Sequence, residues 1–134
     1  MIRTLTISLA TLFTLTTANL THSDDYKYVT DAAYCSGVTV KNIALSKRDL
    51  AIVVPGQEQN LLRLRAILEG ALKLERIDAV TAANLVRVGQ QDAEICWNLN
   101  MDCFNDALKY PDDTAMKNCL MRGESICKRI KACQ

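Results

Sequence analysis

The sequence predicts an all-α fold: a disulfide-stapled four-helix bundle ending in an antiparallel α-hairpin. Three observations predict it. Apolar residues recur at helical spacing through most of the chain, four helical stretches are separated by short turn signals, and six cysteines sit in a chain of 134 residues. A chain of this length builds one compact domain.

Residues 1–18, MIRTLTISLATLFTLTTA, have the layout of a signal peptide: Arg3, an apolar run from Leu5 to Leu15 diluted by hydroxyls, then small residues to Ala18. The run is too short and too polar for an integral membrane span, which needs about 20 apolar residues. The expected mature domain is 19–134. The formal charge of +1 resides in Arg3, so removing the leader leaves cations and anions balanced. A nucleic-acid partner is therefore not expected, since neutralising phosphates takes a basic excess. Asn19-Leu20-Thr21 is a formal glycosylation sequon.

After the leader, Asp24 and Asp25 offer caps for a first helix to about Leu45, with Val29, Ala33, Ser36, Val40 and Ile43 on one face. Gly37 and the β-branched residues after it weaken its middle. Ser46 to Asp49 then suggest a short cap before Leu50-Ala51-Ile52-Val53-Val54. That run has no second strand to pair with, so a buried turn or an extended connector is expected. Pro55-Gly56 breaks the chain. A second helix follows from about Gln57 to Arg76, with Leu61, Leu64, Leu68 and Leu72 on one side and a Glu69–Lys73 pair at i,i+4. Asp78 caps a long third helix to about Lys109. Tyr110 to Thr114 form a turn, and a fourth helix occupies about 115–132.

The third helix carries the most specific pattern. Ala82, Val86, Gly89, Ala93, Cys96, Asn100, Cys103 and Ala107 alternate steps of four and three, a stripe of mostly small residues that lets another helix come close. Cys96 and Cys103 share a helix face but lie about 10.5 Å apart along it, beyond the roughly 7 Å Cα separation a disulfide tolerates. Cys119 and Cys127 are separated in the same way, so each cysteine must reach across to the other helix. Folding the hairpin back at Pro111-Asp112 pairs Cys103 with Cys119 and Cys96 with Cys127, in one register. Elimination leaves Cys35 with Cys133. This is one of the fifteen connectivities that six cysteines allow. The register also sets Asn100 opposite Gly123, as an interior amide.

Over Cys96 to Cys127 this double-stapled hairpin resembles the twin-cysteine hairpins of the coiled-coil-helix-coiled-coil-helix proteins. It has C-x6-C and C-x7-C where that family has paired C-x9-C, so the resemblance implies the hairpin geometry alone.

Chemistry is sparse. With six thiols oxidised no cysteine nucleophile remains, the single histidine, His22, lies near the expected N-terminus, and no C-x-x-C pair suggests a metal. No catalytic residue, metal or cofactor is expected. Trp97, Met101, Phe104 and Leu108 form a second stripe on the third helix, rotated by about 100°. It is expected to pack on the leucines of the second helix as core, with an apolar pocket or docking patch as the sharper alternative. Acidic residues from Asp92 to Asp113 face a basic arm whose Arg122, Lys128, Arg129 and Lys131 are candidate interaction residues. The leading functional expectation is an exported protein-binding factor of inhibitor or immunity type, periplasmic or secreted, with a protein partner. The alternatives are a carrier of a small apolar ligand between the Leu61–Leu72 and Trp97–Leu108 faces, and an envelope-associated structural protein.

Overall fold

The computed structural model describes the backbone of residues 3–109 and 113–134, and side chains for 24–109, 114 and 116–134. The fold is all-α. Five helices follow in order: α1 (Arg3–Leu50), α2 (Gln57–Lys73), α3 (Ala79–Lys109), α4 (Asp113–Met121) and α5 (Glu124–Lys131). The leader and the sequon concern side chains outside the described residues, as does the bend at 110–112.

Helix α1 is the spine. It neither begins at Asp24 nor stops at Leu45, and runs without a break to Leu50. The extra turn is held because Leu45 and Ser46 are buried; Ala51, at φ 53°, then ends the helix. Of the two expectations for the residues after it, the buried turn does not hold and the connector does: Ile52, Val53 and Val54 lie outside helix and strand and are 40–49% exposed. The expected face of α1 holds for Val29, Ala33 and Ser36, which are buried, but Val40 and Ile43 are only half-buried, and the face was too narrow. Tyr34, Val38 and Leu45 are buried as well, because the helix is covered on one side by α2 and on another by α3.

Two small cores lie along α1. Val29 meets Ala71, Ile77 and Ala82, with Leu68, Leu72 and Leu85 around them. Further along, Tyr34 and Val38 meet Ala93, Cys96, Ile130 and Cys133. Helix α2 therefore lies against α1, and Leu64 and Ala71 are its buried residues. It closes at Lys73, short of Arg76, where Glu75 turns to φ 54°, and no Glu69–Lys73 ion pair forms among the described residues. Asp78 caps α3 as expected: its carboxylate accepts from the Thr81 N–H at 2.8 Å and from the Thr81 hydroxyl. These bonds hold its carboxyl below the ordinary aspartate value.

The upper half of the small-residue stripe on α3 packs against α1. A Cβ placed on Gly89 would overlap the carbonyl oxygen of Tyr34, and one placed on Gly37 would overlap that of Val86. The two glycines let the helix backbones touch, so Gly37, which costs helix propensity, is required by packing.

The fourth helix of the expectation is two helices. Helical geometry gives the reason. Residues seven apart are rotated by only about 20°, so Cys96 and Cys103 share a face of α3; residues eight apart, such as Cys119 and Cys127, differ by about 80°. A straight helix could not point both at α3. The break at Arg122-Gly123 reorients α5, and the bonds Cys96–Cys127 and Cys103–Cys119 close at Cα separations of 5.5 and 5.7 Å. Cys35–Cys133 closes at 5.1 Å and ties the C-terminus to α1. The first two are the pairs that the hairpin register gives, and the third is the one left by elimination. The reorientation shifts what meets Gly123: the side chain of Leu99 sits there. Asn100 is exposed instead, its amide directed at the Cys96 sulfur, 3.6 Å away.

Alanine substitutions at the glycines separate packing from propensity. Gly70 on α2 has open space around its missing side chain, so Gly70→Ala is expected to stabilise by about 0.5–1 kcal/mol. Gly37→Ala and Gly89→Ala gain the same propensity but force backbone from backbone, and each is expected to lose at least about 2 kcal/mol net. Urea unfolding of the oxidised proteins measures both signs.

Candidate functional site

A groove of about 1230 Å³ opens along the C-terminal half of α1. One wall is a single face of α1, where Val38, Asn42, Ser46 and Leu50 follow at steps of four. The floor comes from α3 through Ala93, Cys96, Trp97 and Asn100. The opposite wall is α4 and α5, which contribute Lys117, Leu120, Met121, Glu124, Cys127, Lys128 and Lys131. Val54, Pro55 and Gly56 close one end. Most of this surface is apolar, and Leu50, Leu120 and Met121 are 40–54% exposed at its rim.

Sulfur bridges define the groove's shape. Cys96–Cys127 joins floor to wall, and Cys133, bonded to Cys35, lines the same cavity. The amide of Asn60 at the start of α2 donates to the Cys133 carbonyl at 3.2 Å, which fixes the chain end. Gln57 Oε1, in the same lining, is the one buried side-chain oxygen or nitrogen without a partner among the described residues.

The Trp97–Leu108 stripe does not pack on α2. Helix α2 lies on α1, and the stripe instead starts in the groove with Trp97 and continues outward: Met101 is half-buried, Phe104 is 51% exposed and Leu108 is 69% exposed. The groove that Trp97 lines contains none of Leu61, Leu64, Leu68 or Leu72. Trp97 is held on edge by its indole N–H, which donates to Asp49 Oδ2 at 2.8 Å. Asp49 also takes a paired contact from the Arg48 guanidinium at 2.7 and 2.9 Å. That guanidinium, with the indole second, keeps the Asp49 carboxyl below the ordinary aspartate value.

The candidate basic residues divide. Arg129 is structural. Its guanidinium stacks 3.8 Å from the centroid of the buried Tyr34 ring and stands 4.0 Å from Asp92, at the outer limit of an ion pair. Asp92 in turn accepts from the Tyr34 hydroxyl at 2.8 Å. This triad joins α1, α3 and α5 behind the groove. Arg122 lies outside the groove lining. Lys128 and Lys131 line it together with Lys117, which the sequence reading did not single out, and none of the three has an ion-pair partner among the described residues. What could have found Lys117 is its place two residues before Cys119, on the strapped arm.

Among the described residues no group of three or more His, Cys, Asp or Glu side chains is placed to hold a metal ion, and no helix is long and apolar enough to cross a membrane. Three disulfides fit an oxidising compartment. Searches against protein-family models, curated proteins and solved structures found no match.

Burial, followed by the bond to Asp92, pushes the Tyr34 hydroxyl up to about 12 from an ordinary value of 10.0. Between those values the unfolded chain gives up a proton that the folded chain keeps. Stability supplied by this group is thus complete below about pH 10 and lost as pH rises towards about 12. Tyr34→Phe is expected to cost about 1 kcal/mol at neutral pH and to flatten the alkaline fall in stability. Denaturant midpoints of both proteins, followed across that pH range, check the prediction.

Proposed function

We propose that this protein is exported by its leader, acts without catalysis, and binds a protein partner in the groove between α1 and the α4–α5 arm, as an inhibitor or immunity-type factor does. The groove itself carries the reading. Small-molecule sites usually span about 300–1,000 Å³ and bury most of their ligand, whereas this one is larger and only partly enclosed. Its lining exposes Leu50, Val54, Leu120 and Met121, at 40–54%. Grouped exposed apolar side chains of this kind mark a surface that another macromolecule covers.

The rigidity of the site supports the same reading. Covalent ties at Cys127 and Cys133 fix one wall before any partner arrives, which lowers the ordering cost of association. The groove also has an apolar floor, so a carrier of an apolar molecule is the competing reading, and the test separates the two.

A photo-reactive amino acid placed at Leu120, in the groove, and another at Leu62, on the outer face of α2, compare the two surfaces in the native compartment. The expected outcome is a discrete protein adduct from Leu120 that Leu62 does not give, on a chain whose N-terminus is Asn19. A lipid or small-molecule mass on Leu120 with no protein adduct would replace this reading with the carrier.

A further inference from the structure

The groove's charge and shape say more about what fills it. We infer that its occupant is an acidic amphipathic helix of the partner, with its apolar side on Trp97, Leu120 and Met121 and its carboxylates towards Lys117, Lys128 and Lys131. The inference rests on the protein-binding reading above and names the chemistry of the partner segment.

Charge complementarity is the first argument. The three lysines all stand on the α4–α5 wall and lack ion-pair partners among the described residues. The negative groups nearby do not cancel them. Asp49, beside the floor, is already taken by Arg48 and by the Trp97 indole, which leaves Glu124 against three cations. Elsewhere Lys27 pairs with Asp31, Lys41 with Glu94, Lys47 with Glu58 and Arg76 with Asp25. Arg65, Lys73 and Arg87 also lack ion pairs among the described residues but line no groove, whereas the three lysines share one. In a chain whose charges balance, an unmatched basic wall along an apolar trough selects a ligand that is both acidic and apolar.

Secondary structure is the second. The walls and floor are helices whose backbone groups are used internally, so an extended peptide would find no sheet edge on which to add as a strand. A helix satisfies its own backbone and needs only an apolar trough and charged rims. The α1 wall from Val38 to Leu50 is roughly 18 Å long, which suits three to four turns of a docked helix. Concavity is the third argument: the floor residues lie between two walls, where a flat bilayer surface does not reach.

Trp97 is the chain's single tryptophan and sits in the floor, so it reports occupancy directly. The probe is a stapled, end-blocked peptide of about fifteen residues without aromatics, with leucines at i, i+3, i+4 and i+7 flanked by glutamates. Its companion has lysine at every glutamate. The acidic peptide is expected to shift Trp97 emission to the blue and to saturate. The shift should weaken about tenfold in Lys117→Gln/Lys128→Gln/Lys131→Gln, and it should fall with added salt. The control Arg65→Gln/Lys73→Gln/Arg87→Gln, outside the groove, should bind as the parent does.

Equal binding of the basic companion, or no loss in the groove triple variant, overturns the inference. So does saturation of Trp97 by a long-chain fatty acid or by anionic vesicles with no response to the peptide, and so does concentration-dependent self-association that buries Trp97. A protein adduct at Leu120 alongside a silent acidic peptide would leave the protein-binding reading standing and remove this one; loss of both results would remove both.

Discussion

Helices of nine and eight residues, the lengths of α4 and α5, do not hold themselves up in water, because nucleation costs more than two turns return. Sulfur holds them here. Without Cys96–Cys127 and Cys103–Cys119 the arm would keep only Ile130 as a fully buried apolar anchor on α5, too little to offset its ordering. The groove is therefore a product of oxidation as much as of packing. Its floor belongs to a long helix that packs well on its own account, while its second wall exists because it is bonded to that floor. The third bridge spans 98 residues of sequence and removes a large share of unfolded-chain entropy, by about 3–5 kcal/mol in the loop-closure picture.

The spine on which this is mounted depends on a different constraint. Gly37 and Gly89 bring α1 and α3 into backbone contact, and that approach places Tyr34 beside Asp92 and leaves room for Arg129 above its ring. The triad is the arm's polar fastening, parallel to its covalent one. It also explains why one of five nearby basic residues of the arm is engaged by the fold: Arg129, though 57% exposed, is taken up by Tyr34 and Asp92, while Lys128 and Lys131, its neighbours on α5, line the groove. Residues one and two apart in a helix point in different directions, and a short basic run thereby does two jobs.

The cysteine pairs were legible because helix rise and rotation are rigid quantities: spacing within each arm forbids the local bonds and the turn fixes the register. The break at Gly123 went unforeseen, because an unbroken helix over 115–132 treats the eight-residue Cys119–Cys127 spacing like a seven-residue one, although it rotates by about 80°. What spacing does not carry is the identity of the covering element. Trp97, Met101, Phe104 and Leu108 do share a face, but periodicity says only that the face is apolar. Helix α2 found a better partner in α1, where Val29, Ala71 and Ile77 close a core of their own, and the stripe was left open. The width of α1's buried surface was hidden for a related reason. A helix covered on two sides has no single stripe, and Thr39, polar by type and off the expected face, is buried with its hydroxyl bonded to the Cys35 carbonyl at 2.8 Å.

An unfilled apolar surface costs solubility, and the part of the stripe inside the trough is guarded by charge. Trp97 lines the trough with Lys117, Lys128 and Lys131 on one wall and Asp49, paired with Arg48, bonded to its indole, while Phe104 and Leu108 lie outside the lining. Charge at the rim discourages indiscriminate association of flat apolar surfaces, while concavity admits a narrow, convex element. Asp49 contributes to the shape in a particular way: by accepting the indole proton it holds Trp97 in the floor, and by pairing with Arg48 it withholds its own charge from the lysines opposite. The trough thus keeps its basic character although acidic side chains are as numerous in the domain as basic ones. Selectivity for an acidic, apolar partner surface follows from which carboxylates are already occupied, and net composition says nothing about it.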